Sequence, residues 1–278
     1  MRGATRVRDL DLRATLESGQ FFRYRETAPG EFLVLTEGYA IILRQPDAGT
    51  LRWSDAPRKL VERLLGIGAA GDATHRRRLA ALARDPALAD LVPRYRGLRV
   101  MRIDTHEAIL GFICSSMSNI PRIRRNLDAI AAALGTPHAG GHHRLPQPGL
   151  ALDERSLRAT GVGYRAPYLR ATNAMLTPEF LDGLARAEYG RAHGMLTALP
   201  GIGPKVADCV CLFGLGHGRA FPVDVHVHRA MRARFPRSRL TTERHARDFA
   251  QRRWGEMAGH AQQMLFQWAR DDLARRAR

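Results

Sequence analysis

Leu199-Pro200-Gly201-Ile202-Gly203-Pro204-Lys205-Val206-Ala207-Asp208-Cys209-Val210-Cys211 is the stretch from which the fold can be read. Gly201 and Gly203 permit backbone angles closed to other residues. Pro204 suits a first helical turn, where its missing N–H is not needed. Helix-forming sequence flanks the turn on both sides, EYGRAHGMLTAL before it and KVADCVCLFG after it. The reading is two helices joined by a tight glycine turn, a helix-hairpin-helix at about residues 189–214. Exposed amides at such a turn, beside a helix N-terminus, grip phosphate without sequence preference.

Lys205 stands out within this hairpin. The 278-residue chain contains 42 arginines and only two lysines, Lys59 and Lys205. Arginine stays protonated in proteins, whereas an amine can lose its proton and act as a nucleophile able to form a Schiff base. Lys205 lies in the first turn of the second hairpin helix, where the positive end of the macrodipole disfavours an added positive charge. Lys59 sits in a charged stretch and reads as a surface residue. Cys209, four residues beyond Lys205, shares its helical face and either lines the same pocket or fills core.

Nineteen residues after Lys205, Asp224 in FPVDVHVHRAM is placed to cap a further helix. Capping and catalysis are compatible, because a carboxylate held at a helix start can stabilise a cationic sugar transition state. A lysine, an aspartate and a phosphate-gripping hairpin together point to attack on a sugar carbon in DNA. The formal charge of +17 and the pI near 11.2 fit a polyanionic partner.

Composition removes other classes. No run of 18 apolar residues is present, and the N-terminus lacks an apolar signal core, so membrane insertion and secretion are unsupported and a cytosolic protein is expected. Cys114, Cys209 and Cys211 have no spacing that suggests a disulfide framework, and three cysteines cannot hold a four-cysteine iron-sulfur cluster. His138, His142 and His143 lie in a Gly- and Pro-rich stretch that reads as a solvated loop rather than a metal site.

The expected fold class is α+β. Residues 31–53 alternate in short β-favouring runs separated by turn residues, which predicts an antiparallel meander, and helical periodicity begins near residue 57. An N-terminal α+β lobe over 1–95 and a mainly helical body over 96–278 follow. Asp104 with Glu107 three residues later reads as a capping box opening a helix, and a second helix runs through RRNLDAIAAAL to Gly135. Residues 136–150 form a breaker-rich loop.

Six segments then occur in one order: SGQFFRY (18–24), FICSSMSNIPRI (112–123), GVGYRAPY (161–168), the hairpin, PVDVH (222–226) and AGHAQQMLF (258–266). In this the chain resembles the helix-hairpin-helix DNA glycosylases with a Gly/Pro-rich turn followed by Asp, and within them the 8-oxoguanine DNA glycosylases. The resemblance spans nearly the whole chain. It implies that Lys205 attacks the anomeric carbon of a flipped nucleoside, that Asp224 stabilises the developing charge, and that β-elimination follows from the Schiff base. It further implies that the Gly19 carbonyl accepts the N7–H found only on oxidised guanine, that Phe266 and Cys209 sandwich the base, and that Gln262 reads its Watson-Crick edge. Tyr164 would wedge into the helix, Arg165 and Arg122 would contact the opposite base, and His226 would touch phosphate. No cofactor is required by such a reaction. A monomer on double-stranded DNA is the expected working form.

One segment departs from the family pattern. Met117, Ser118 and Asn119 stand where an Asn run follows the two serines in the animal enzymes, so a thioether replaces the amide expected at the opposite cytosine. A relaxed opposite-base preference follows. Two other readings are compatible with the hairpin: a monofunctional alkylpurine glycosylase, which has no need of Lys205, and a non-catalytic DNA-binding module, which needs neither Lys205 nor Asp224.

Overall fold

The computed structural model describes residues 2–276. Its N-terminal part is a five-stranded antiparallel sheet of β1 (Arg2–Arg6), β2 (Tyr24–Ala28), β3 (Glu31–Thr36), β4 (Tyr39–Asp47) and β5 (Thr50–Ser54), in the order β1-β5-β4-β3-β2. β3 to β5 are the meander expected from alternation. Val34 pairs with Ile41 and Leu43 with Trp53 on the core face, all of them buried. β1 and β2 extend the sheet beyond the sequence reading. β1 has no apolar alternation; its place depends on Gly3, where a Cβ would lie 2.3 Å from the Trp53 ring across the pair.

The remainder is mainly helical. The Thr105–Ser115 helix starts as expected, the Asp104 carboxylate accepting the Glu107 N–H at 2.9 Å. The reciprocal half of the capping box does not form. Glu107 instead accepts the Thr36 hydroxyl at 2.6 Å and the Glu37 N–H at 3.0 Å, which pins this helix to the end of β3. Burial, helped by the nearby Asp104 charge, raises Glu107 from 4.5 to about 7. Between those values the folded chain holds a proton that the unfolded chain has released, so stability falls as pH rises across that window. Glu107→Gln is therefore expected to stabilise the protein by about 1–2 kcal/mol at pH 8, and to do nothing favourable at pH 4.5, as denaturant midpoints at the two pH values will show.

The next helix, Ile120–Leu134, begins earlier than the sequence suggested, because Asn119 caps it by accepting the Arg122 N–H at 3.0 Å and Pro121 occupies its first turn. The 136–150 connection contains a two-residue strand pair, Pro137–His138 with His142–His143. The hairpin helices are Tyr189–Thr197 and Pro204–Cys209, and the second continues as a π-helical stretch, Val210–Leu215. The wider turn is supported from outside. Phe213 and Gly214 offer their carbonyls to Ile103 N–H at 2.9 Å and the Thr105 hydroxyl at 3.3 Å, seating the stretch against the Thr105–Ser115 helix.

Two apolar cores result. The sheet shares one core with helices from Thr105 to Leu215, whereas Leu79–Leu98 packs with C-terminal residues from Phe221 to Ala269. Packing therefore groups the chain differently from a division at residue 95. Among the described residues, no helix is long and apolar enough to cross a membrane.

Candidate active site

Lys205 is half-buried in the first turn of its helix. Its Nζ donates to Ser115 Oγ at 3.3 Å and stands 5.6 Å from the centre of the Phe112 ring. One turn later Cys209 is buried at 3% exposure, and burial pushes its thiol up to about 12 against the pull of the Lys205 cation. A neutral thiol is a poor nucleophile.

Asp208, between them, faces the other way. It is 1% exposed, accepts the Tyr189 hydroxyl at 2.7 Å, and lies 3.9 Å from His193 and 3.7 Å from Arg247. Burial raises its carboxyl above the ordinary range. This carboxylate braces the hairpin from behind. Sequence reading passed over it, although an Asp inside the apolar run Val206–Val210 was a signal for a buried, partnered acid.

Asp224 caps the Val225–Arg234 helix, accepting the Val227 N–H at 2.8 Å. The Lys205 charge opposes the effect of burial on the Cys209 thiol, and the Asp208 and Asp224 charges reinforce it. Two residues before Asp224, the Pro222 carbonyl accepts the Gln262 amide at 3.1 Å, while Gln263 donates to Gln262 Oε1 at 2.9 Å. One amide hydrogen and one lone pair of Gln262 remain for a ligand. Phe266, one turn beyond, meets the edge of His226 with ring centres 6.5 Å apart.

Gly19 lies against Phe266 and Ile120. Its φ of +77° lies in the left-handed region, and a Cβ there would come within 3.4 Å of both Phe266 and Ile120. Arg270 ties the elements together, donating to the Glu17 carbonyl at 2.8 Å while its guanidinium lies 5.6 Å from the Phe266 ring centre. Gly19, Arg270, Phe266, His226 and the Pro222–Asp224 segment are thus brought together from distant parts of the chain.

No protein-family model matches the chain. It is 32% identical to the N-glycosylase/DNA lyase OGG1 of Arabidopsis thaliana over 280 residues, covering 93% of this chain and 77% of that protein. This chain belongs to the N-glycosylase/DNA lyase family. Solved structures agree in fold. MBOgg1 in complex with a low-affinity DNA ligand superposes with a TM-score of 0.88 at 26% identity, over 97% of this chain and 96% of that one. The 8-oxoguanine glycosylase/lyase of Clostridium acetobutylicum, bound to DNA with cytosine opposite 8-oxoG, gives 0.86 at 24% identity, over 98% of each chain.

In this N-glycosylase/DNA lyase a second cluster surrounds the Ser116–Met117 turn. Met117 has a φ of +47° and is 91% exposed. Tyr164, half exposed, donates its hydroxyl to the Ser116 carbonyl at 3.3 Å. Arg165 does not face outward as expected. It is 2% exposed, and its guanidinium donates to the Ser116 carbonyl (Nε at 3.1 Å, and also Nη2), the Val162 carbonyl at 3.0 Å and the Met117 carbonyl at 3.2 Å. Five donors in a fixed fork suit it to holding two successive carbonyls, and that use leaves the outward positions to Met117, Asn119 and Arg122, all exposed.

The two hairpin glycines also differ. Gly201 has a φ of +77°, and a Cβ there would collide with Tyr168 at 2.6 Å. Gly203 has an ordinary extended backbone, φ −85° and ψ 176°, and nothing lies within 4 Å of where its Cβ would be. Only Gly201 needs glycine's conformational freedom; Gly203 leaves open space at a helix N-terminus.

Proposed function

We propose that this protein excises 8-oxoguanine from duplex DNA and then cleaves the strand at the sugar through a lysine Schiff base. The observation that carries the reading is that the Gln262–Pro222 hydrogen bond, the His226–Phe266 ring contact and the close approach of Gly19 to Phe266 gather the Asp224 cap and the proposed base-reading residues, in a chain of the N-glycosylase/DNA lyase family whose Lys205 amine is held on Ser115. The target nucleotide leaves the stack, because neither Lys205 nor Asp224 reaches the anomeric carbon inside a duplex. The neutral Lys205 Nζ forms a bond to C1′ as the C1′–N9 bond breaks; the base leaves with the electron pair and takes up the proton that the newly bonded nitrogen sheds. Asp224 stabilises the positive charge on the sugar. Ring opening gives the iminium, loss of a C2′ proton drives departure of the 3′-phosphate, and water returns the amine. Lys205 supplies the covalent chemistry without a cofactor.

Discrimination falls to the Gly19 carbonyl, which accepts the N7–H that oxidised guanine carries and guanine lacks. Phe266 and Cys209 stack on the two faces of the base, and the free amide atoms of Gln262 meet its Watson-Crick edge. The hairpin grips phosphate at Gly201 and Gly203, His226 adds a phosphate contact, and Tyr164 fills the space the base vacates. Arg122 and Met117 face the opposite strand. The test is borohydride trapping on duplexes carrying 8-oxoguanine, an alkylated purine or no lesion. A covalent adduct confined to the oxidised duplex is expected; trapping on the alkylpurine duplex alone, or on none, rejects the reading.

Two further outcomes belong to this reading. Met117 has no donor or strong acceptor for a base edge, so excision is expected at comparable rates opposite all four bases. Met117→Asn, in a backbone conformation Asn tolerates well, is expected to favour cytosine by about tenfold in single-turnover assays. A hundredfold cytosine preference in the unmodified protein sinks the idea. At the hairpin, Gly201→Ala is expected to cost about 1–3 kcal/mol of stability. Gly203→Ala leaves stability within about 0.5 kcal/mol but weakens duplex binding, because a methyl at the helix N-terminus holds a phosphate off the exposed amides, while the salt slope stays unchanged since no cation is lost.

A further inference from the structure

Ser115 ends the Thr105–Ser115 helix, and its hydroxyl is already committed, donating to the Phe112 carbonyl at 2.7 Å. Its oxygen lone pairs therefore remain for the Lys205 Nζ, which donates to it at 3.3 Å. The amine is bounded by the Phe112 ring and by the neutral Cys209 thiol. A lysine side chain has four rotatable bonds, and an amine free to sample them spends little time in line with a sugar carbon. Here the amine has a fixed acceptor before any substrate arrives.

The position of Ser115 in the chain gives this contact a second consequence. The next two residues form the turn whose carbonyls Arg165 and Tyr164 hold, and Met117 at its tip is the most exposed large apolar side chain among the described residues. Its φ of +47° is a conformation that a non-glycine residue adopts only where neighbouring contacts maintain it. Pressure on Met117 from the opposite strand acts on that turn, and the turn begins at the residue that holds the nucleophile. Only Ser116 lies between the two.

We propose that Ser115 is a positioning residue for Lys205 and that, through Ser116 and Met117, it couples the contact with the opposite strand to the placement of the amine. This rests on the 8-oxoguanine glycosylase/lyase reading above. A serine at the end of a helix is commonly only a local cap, so the test must read something capping does not move. Ser115→Ala is expected to lower the single-turnover excision rate about five- to tenfold, equivalent to about 1–1.4 kcal/mol. Affinity for a duplex carrying a non-cleavable abasic analogue should stay unchanged. Ser115→Thr, which keeps the oxygen, should recover most of the rate.

The coupling is read by a double-mutant cycle. Met117→Ala should change the excision rate in the Ser115 background and have little further effect in the Ser115→Ala background. Equal effects of Met117→Ala in both backgrounds overturn the coupling. An unchanged rate in Ser115→Ala, or a thermal midpoint shift in step with the rate loss that Thr does not repair, overturns the positioning role. These failures differ from failure of the functional reading, in which the unmodified protein itself gives no borohydride adduct.

Discussion

Lys205→Gln is expected to eliminate the borohydride-trapped adduct on 8-oxoguanine duplexes while leaving duplex binding close to that of the unmodified protein. The amide nitrogen of Gln is not nucleophilic and cannot form an iminium, yet Gln nearly matches the length of Lys and retains a donor for Ser115 Oγ. Lys205→Arg separates charge from nucleophilicity. It preserves the positive charge beside Cys209 and the stacking on Phe112, but a guanidinium stays protonated and forms no Schiff base, so it too should give no adduct. Trapping that survives in Lys205→Gln would move the nucleophile elsewhere. Cys209 is a poor substitute, since burial holds its thiol in the neutral form.

Asp224→Asn is expected to reduce single-turnover excision by about 10²- to 10³-fold, the range seen when one preorganised electrostatic partner of a transition state is removed. The substitution isolates charge from architecture. Asn caps a helix about as well as Asp, so the Val227 N–H keeps its acceptor and the thermal midpoint should not move. Asp224→Ala loses both functions and should cost a further ~1 kcal/mol of stability. If Asn and Ala variants lose activity only in proportion to their loss of stability, Asp224 is a cap and not a participant in the chemistry.

Legibility from sequence followed the range of the interaction that decides each feature. The hairpin, the Asp224 cap, the Asp104 cap and the β3–β5 meander are set by residues within a few positions of one another, and all were readable. β1 was not, because its strand character depends on Gly3 lying beneath Trp53, fifty residues away. Glu107 looked like the second half of a capping box; the sheet supplied a better pair of donors in Thr36 and Glu37. Asn119 and Arg122 are near neighbours whose contact is a helix cap, which a reading directed at DNA contacts did not anticipate.

The amino-acid sequence by itself supplied the candidate groups: an amine among arginines, one capping carboxylate, a glycine turn and six segments in a fixed order. These are local properties, since a residue's reactivity and a turn's backbone angles travel with the chain. Only the tertiary structure decided which way the arms point. It turned Arg165 inward onto the Ser116 and Met117 carbonyls, left Met117 exposed at the tip of a left-handed turn, faced Asp208 toward Tyr189 and away from the pocket, and set Ser115 against Lys205 across 90 residues. A long side chain has several staggered conformations of similar intrinsic energy, and the choice among them is made by partners that packing brings from distant parts of the chain.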